Sequence, residues 1–387
     1  MSSAFARLST LLSTVTAPSS REPIRLDIGE LQLVDPAEVE GFEAALTLGW
    51  ATYPRLGGSA SLTASYGMYL ETAFGIGNGE RDGLATEPSP GSKAAAAALL
   101  MLAVFAARHD DQPSILLPDP GYPTYAAALQ PLPANASFYR TDGDVPTAIE
   151  QAVAESEGMT AAIVVVNPGI PTGQPLTSNE LTQIQQLSKR VGARLIVDEC
   201  YIDLYLGTRS GASAVTALED FTGSVVLHTL SKRSSAPGLR SGFVCGDPQL
   251  VGEFSAWNRS CGVSSPDGVN AAASLLWADG VHVDRARAQL GRNWDLADEI
   301  LTALPGYTRA YSGPFVWLPV IDDCAATIRL WSRAGVRVMP GSFLTALPTK
   351  SHHLRLAIGG PEAVLRNALA SAVEILTAEA LTLGVPT

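Results

Sequence analysis

Residues 161–200 read AAIVVVNPGIPTGQPLTSNELTQIQQLSKRVGARLIVDEC, and their reading decides the fold. AAIVVV (161–166) is a continuous apolar run rich in β-branched side chains, as expected of a strand buried on both faces. A loop of Asn, Pro and Gly follows. Thr177 and Glu180 then make a T-x-x-E capping box, Leu181, Ile184 and Leu187 recur at helical spacing, and Gly192 stops the helix. RLIV (194–197) is a second buried run. Two such strands joined by a helix form a crossover unit, so they lie parallel in one sheet.

The same alternation extends from about residue 90 to 245, through AAAAALLMLAVFAA (94–107), SILLP (114–118) and SVVLHTL (224–230). It predicts an α/β domain with a mostly parallel sheet covered on both faces. After about residue 285 the pattern changes to a helix near 283–304, strands in FVWLPV (315–320), VRVMP (336–340) and HLRLAIG (353–359), and a last helix from Pro361 to about Ala378. The division expected is 1–45 as an N-terminal arm and part of a small domain, which PIRLDIG (23–29) joins or bridges to, 46–285 as the large domain, and 286–387 as the small α+β domain.

Composition excludes several classes of function. A net charge of −12 on 387 residues argues against a surface for nucleic acid phosphates. The four cysteines lie far apart and the five histidines show no ligand spacing, so neither a disulfide framework nor a metal site is indicated. The longest apolar run, 14 residues between Lys93 and Arg108, is shorter than the roughly 20 needed to cross a bilayer. No membrane partner is expected, and a reducing cytoplasm fits. The Ser/Thr-rich start, MSSAFARLSTLLSTVTAPSSR, has no signal-type apolar core and reads as an arm.

Ligands of open parallel sheets sit beyond the carboxyl ends of the strands. There the sequence offers Asp119-Pro-Gly-Tyr122, Asn167-Pro-Gly-Ile170, Asp198-Glu-Cys-Tyr201 and Ser231-Lys232, with Arg240 eight residues further on. Taken singly, Lys232 is a surface lysine, Asp198 the end of a strand, Arg355 a solvent-facing residue of an alternating strand, and Tyr122 and Tyr53 packing rings. Together they suit one cofactor. A lysine amine forms a Schiff base with an aldehyde, a carboxylate keeps a pyridine nitrogen protonated, and an aromatic ring stacks on it, which describes pyridoxal phosphate. SPGSKAAAAALL (89–100) supplies a Gly-Ser turn opening a helix, a cradle for the phosphate.

HTLSKRSSAPGLRSGFVCGD (228–247) resembles the lysine-to-arginine segment of fold type I pyridoxal phosphate aminotransferases. YPRLGG, PSPGSK, DPGYPTY, VDECY and HLRLAIG follow that family's order from about Ile24 to the last helix. SKRSSAPGLRSGF, DECY, IGE and VMPGSFL look most like bacterial succinyldiaminopimelate aminotransferases. The resemblance implies a mixed seven-stranded sheet in the large domain and transamination between an amino acid and a 2-oxo acid, with glutamate and 2-oxoglutarate as a pair. It further implies that Lys232 carries the cofactor and moves the proton, Asp198 faces the ring nitrogen, Tyr201 the phenolic oxygen, and Tyr122 the ring face. Ser92, Lys93, Thr229, Ser231 and Arg240 would hold the phosphate, Tyr53 that of a neighbouring subunit in a homodimer with a shared site, and Arg355 and Gly29 the substrate carboxylate. A β-lyase or racemase on the same scaffold stays open, because bond choice depends on how the substrate is oriented. A nicotinamide enzyme is disfavoured by the lack of a G-x-G-x-x-G.

Two departures stand out. GELQLVDP replaces the usual Gly-Glu-Pro turn, and the resemblance places at Ile170 an Asn whose amide donates to the phenolic oxygen. Ile170 cannot donate. Asn167 and Ile170 both fall on the cofactor-lining loop, with Asn167 three residues upstream and so placed to brace the turn. The missing donor predicts a raised pKa for the cofactor–lysine linkage.

Overall fold

In a computed structural model of the chain, the 161–200 stretch folds as strand, loop, helix and strand. The structure describes residues 3–19, 22–77, 83–107, 112–209, 211–348 and 352–382. Met1, Ser2, Ser20, Arg21, Arg108 and the end beyond 382, on which parts of the reading above fall, lie outside the described residues.

The strands are β1 (Ile24–Arg25), β2 (Ala85–Ser89), β3 (Ser114–Asp119), β4 (Asn135–Arg140), β5 (Thr160–Val166), β6 (Arg194–Asp198), β7 (Ser224–Thr229), β8 (Gly242–Gly246), β9 (Phe315–Val320), β10 (Val336–Arg337), β11 (Met339–Pro340) and β12 (His352–Ala357). Seven of them form one sheet in the order β2-β8-β7-β6-β5-β3-β4. All neighbours are parallel except β8, which runs antiparallel to both β7 and β2. Successive side chains alternate between two buried faces: Ile163, Val165, Leu195 and Val197 join one apolar cluster, Ala162, Val164 and Ile196 the other. Double burial is why these strands read as unbroken apolar runs.

The helix Ser178–Val191 between β5 and β6 carries the expected capping box, with Glu180 N donating to Thr177 Oγ1 at 3.2 Å and Thr177 N to Glu180 Oε2 at 2.8 Å. Such a cap contributes about 1 kcal/mol. Its C-cap, Gly192, has φ of 71°, a left-handed conformation that costs a glycine nothing. Leu181, Ile184 and Leu187 are buried, each worth about 1.5–3 kcal/mol relative to exposure.

A second core joins β9 and β12 to the helices Val281–Leu301, Asp323–Ala334 and Glu362–Thr382. VRVMP does not form a single strand. Val336–Arg337 pairs in parallel with β1, whereas Met339–Pro340 pairs antiparallel with β12, so the run breaks at Val338 where it changes partner. The N-terminal stretch is also more than an arm. Ser3 caps a helix, Ala4–Leu12, that buries Ala4, Leu8 and Leu12 in a cluster with Met339 and Leu344, an apolar period that polar Ser and Thr residues obscure in sequence.

Candidate active site

The carboxyl ends of β3, β5, β6 and β7 share one edge of the sheet, and Lys232 feels the charge of Arg355 on β12. Lys232 lies just past β7, in the short turn Leu230–Arg233 that Thr229 caps through its side chain. Its amine donates to the carbonyl of Gly29 and sits 5.6 Å from the centre of the Tyr201 ring. Burial lowers the amine's pKa, and the positive charge of Arg355 acts in the same direction.

Asp198 ends β6, buried. Its Oδ2 accepts from the Tyr125 hydroxyl at 2.7 Å and its Oδ1 from the Cys200 amide at 3.1 Å. These bonds stabilise the carboxylate, but burial outweighs them and pushes its pKa up. A cation placed against Asp198 would relieve that cost.

Arg355, on β12, is 6% exposed. One Nη donates to the Asp27 carbonyl at 2.7 Å, the guanidinium lies 4.5 Å from the Phe315 ring centre, and Nε has no partner. The Asp27 carboxylate faces Arg25 and Arg337 instead, at 3.1 and 2.9 Å. Among the described residues Arg355 forms no ion pair, so its charge is buried with one donor unpartnered. Gly29 completes this corner. A Cβ there would stand 2.7 Å from Phe315 and 3.3 Å from the Tyr201 hydroxyl, so only glycine lets these rings close on Lys232 and Arg355.

A second corner suits an anion. The helix Ser92–Ala106 begins at Gly91 (φ 88°) without a side-chain cap, and the first N–H groups of a helix have no partner within it. Arg240 lies over that end, donating to Pro90 O at 2.9 Å and to Ser231 Oγ at 3.3 Å. A Cβ on Gly91 would meet its guanidinium at 2.7 Å. Thr229 Oγ1 lies 3.1 Å from Ser231 Oγ, which joins Thr229, Ser231 and Arg240 in one group; Ser92 opens the helix beside it, while Lys93 is exposed.

Asn167 is a brace. Its amide donates to Glu199 Oε1 at 2.9 Å and Ala212 O at 2.7 Å, and its carbonyl accepts from Leu176 N at 3.0 Å, leaving no further donor for a ligand. Its place among cofactor-binding residues remains an expectation from the sequence that these bonds do not support. Ile170 packs against the core of the smaller unit, so the hydrocarbon in the loop has an apolar neighbour. Tyr122 is exposed at the cleft, its ring edge-on to Tyr125 with centroids 5.6 Å apart. Tyr53 is 99% exposed and does not join the group within one chain.

Sequence reasoning missed Tyr125, which stands three residues after Tyr122 on the following helix, and the supporting set of Phe315 and Asp27. It also missed a buried network behind Asp198, in which His228 lies 3.2 Å from Glu199 Oε2 and 2.7 Å from the Tyr66 hydroxyl. Burial alone would lower the imidazole, but hydrogen bonds with Cys245 and Glu199 outweigh it and push His228 up to about 10. Glu199 also takes Ser213 and the Ala214 amide, so it ties three loops together.

Residues 36–371 match the family model described as Aminotransferase class I and II. The chain is 29% identical over 255 residues to a probable aminotransferase, Rv1178, of Mycobacterium tuberculosis, covering 63% of this chain and 56% of that protein. It is 33% identical over 162 residues to a histidinol-phosphate aminotransferase of Chlorobium phaeovibrioides, covering 40% and 41%. The chain thus spans about half the length of the curated relatives it matches. Among solved structures, aminotransferase AspB from Helicobacter pylori superposes with a TM-score of 0.83 at 25% identity, over 97% of this chain and 99% of that one. An aminotransferase from Neisseria meningitidis gives 0.87 at 24%, over 97% and 98%.

Proposed function

The chain belongs to the aminotransferase class I and II family, and from that premise we propose that it moves an amino group between an amino acid and a 2-oxo acid. Pyridoxal phosphate is the family's cofactor, and the residues present fit it. The helix end at Gly91 with Arg240 and Ser231 suits the phosphate, and the buried Asp198 carboxylate suits a protonated ring nitrogen. Lys232 suits the aldehyde, and Tyr201 and Tyr122 suit the phenolic oxygen and the ring face. When bound, the cofactor supplies an aldehyde and an electron-accepting ring.

The observation that carries the reading is Arg355, a buried guanidinium with an unpartnered Nε and no ion pair among the described residues, near an amine of lowered pKa. Such a group favours a carboxylate, which it binds through a planar fork. A substrate carboxylate held there brings the substrate's Cα toward Lys232. Because burial favours the neutral amine, Nζ of Lys232 can take the Cα proton at a lower pH than an ordinary lysine and return it on the other side of the exchange. Tyr201 and Phe315 wall this corner and exclude water. We assign glutamate and 2-oxoglutarate to one half of the exchange and N-succinyldiaminopimelate to the other, on the sequence resemblance. The test is a panel of amino donors assayed with 2-oxoglutarate on purified protein. A yellow protein with glutamate formed from at least one donor is expected; a colourless protein that binds no pyridoxal phosphate would sink the reading.

Ile170 gives a finer check. Restoring an amide by Ile170→Asn should lower the pH midpoint of the visible absorption band by up to about one unit, the equivalent of one hydrogen bond. Equal midpoints would show that position 170 does not address the phenolic oxygen.

We further propose a homodimer in the cytoplasm. Leu48, Trp50, Tyr53 and Leu56 are all exposed within a few residues, an apolar patch that a second copy would cover. The four cysteines are free, and among the described residues no helix is long and apolar enough to cross a membrane. In light scattering the wild type should run at twice the 40.5 kDa chain mass and Trp50→Asp at the single mass. Tyr53→Ala, still dimeric, should bind pyridoxal phosphate about tenfold more weakly if it reaches across. A monomeric wild type would refute both.

A further inference from the structure

The turn that carries Tyr122 is fastened to the smaller unit by one side chain that no step above uses. Asp119 ends β3 and is 1% exposed. Its Oδ2 accepts from the Thr345 hydroxyl at 2.5 Å and from Leu347 N at 3.4 Å, and its Oδ1 accepts from Ala346 N at 2.6 Å. Beside it, Gly121 N donates to Leu344 O at 3.1 Å. Every one of these bonds crosses from the large sheet to segment 344–347.

That segment continues from β11 through the turn Gly341–Phe343, and Met339 of β11 stands opposite Arg355 in the antiparallel pair. One end of the connection therefore leads to the guanidinium and the other, three residues after Asp119, to Tyr122. We propose that Asp119 is a positioning residue, a latch whose carboxylate closes segment 344–347 onto the Tyr122 turn and so fixes the distance between Tyr122 and Arg355. The latch rests on the reading of Arg355 as the carboxylate clamp.

The chemistry explains why aspartate stands there. A carboxylate accepts at both oxygens and can satisfy a hydroxyl and two amides at once. Asparagine has one acceptor, and its NH2 would face either the Thr345 hydroxyl or the Ala346 N–H. Glutamate, one methylene longer, would displace the segment. Hydrogen bonds to a charged group buried at such a junction are stronger than neutral ones. Opening the cleft would break all of them together.

Asp119→Asn and Thr345→Val test the latch, with Thr345→Ser as the variant that restores the hydroxyl. Two readouts need no turnover: amide hydrogen exchange of peptides covering 344–347, and calorimetric binding of glutarate, an unreactive dicarboxylate. The third is the division of transaminase kinetics between KM and kcat. Exchange should quicken, and the glutarate Kd and the KM for donor and acceptor should each rise about tenfold, with kcat within about twofold of wild type. Thr345→Ser should return all three toward wild type. Unchanged exchange overturns the proposal, and so does faster exchange with wild-type Kd and KM, which would mark Asp119 as stability alone. A wild type that transaminates no donor and binds no glutarate would refute the functional reading instead, and exchange would then decide the latch by itself.

Discussion

Lys232→Ala removes the visible absorption band of the pyridoxal phosphate-loaded protein and lowers kcat by about 10⁴-fold, the upper range for a lost general acid–base. The amine sits between Gly29 O, the Tyr201 ring and the charge of Arg355. Lys232→Arg should fail almost as badly, since a guanidinium stays charged and cannot take a proton. The pH profile carries the sign of the argument. Burial lowers the Lys232 pKa from 10.5, so the neutral, proton-accepting form becomes available as pH rises through a value below 10.5. The rising limb of kcat for the wild type should therefore finish below that pH. A Lys232→Ala protein that keeps its band and a kcat within tenfold of wild type would remove Lys232 from the chemistry.

The parts of this site that show in the sequence are those that a short motif carries at the end of an apolar run. Asp198 and Lys232 follow buried strands whose unbroken hydrophobicity is visible, and Gly91 opens a helix whose apolar length is equally visible. Arg355 was harder, because an arginine in an alternating strand is ordinary, and only the fold shows that its side chain is buried and lacks a carboxylate. Tyr125 and Asp119 were not legible as partners: their roles depend on groups 73 and 226 residues away, Asp198 and Thr345, which local pattern does not report. The edge strand Ala85–Ser89 was missed for another reason. ATEPS contains Pro88 and a glutamate, tolerable at the edge of a sheet and opposed to any reading as a strand. The N-terminal helix was missed because its apolar face is three residues wide and meets its cover, Met339 and Leu344, only from the far end of the chain.

Arg355→Met should lower kcat/KM by between about 30-fold and 4,000-fold, the range that 2–5 kcal/mol for a lost buried charge contact implies. Methionine keeps much of the apolar stem beside Phe315 and removes the charge, so the loss reports carboxylate binding more than packing. It should fall on KM for amino donor and 2-oxo acceptor alike, because both present the same carboxylate. Arg355→Lys should lie between, since an ammonium keeps the charge and gives up the planar fork. Amines that lack the carboxylate should react equally with wild type and variant. The same substitution should also raise the melting temperature of the ligand-free protein. Arg355 is buried beside one carbonyl and one ring, with an open Nε and no ion pair among the described residues, and replacing such a charge with an apolar side chain is commonly stabilising. Activity and stability then move in opposite directions at one position, as expected where a fold holds a charge in readiness for its ligand. A variant with kcat/KM within threefold of wild type for carboxylate substrates would show that the substrate is held elsewhere. One with lower stability and unchanged KM would assign Arg355 to the fold alone.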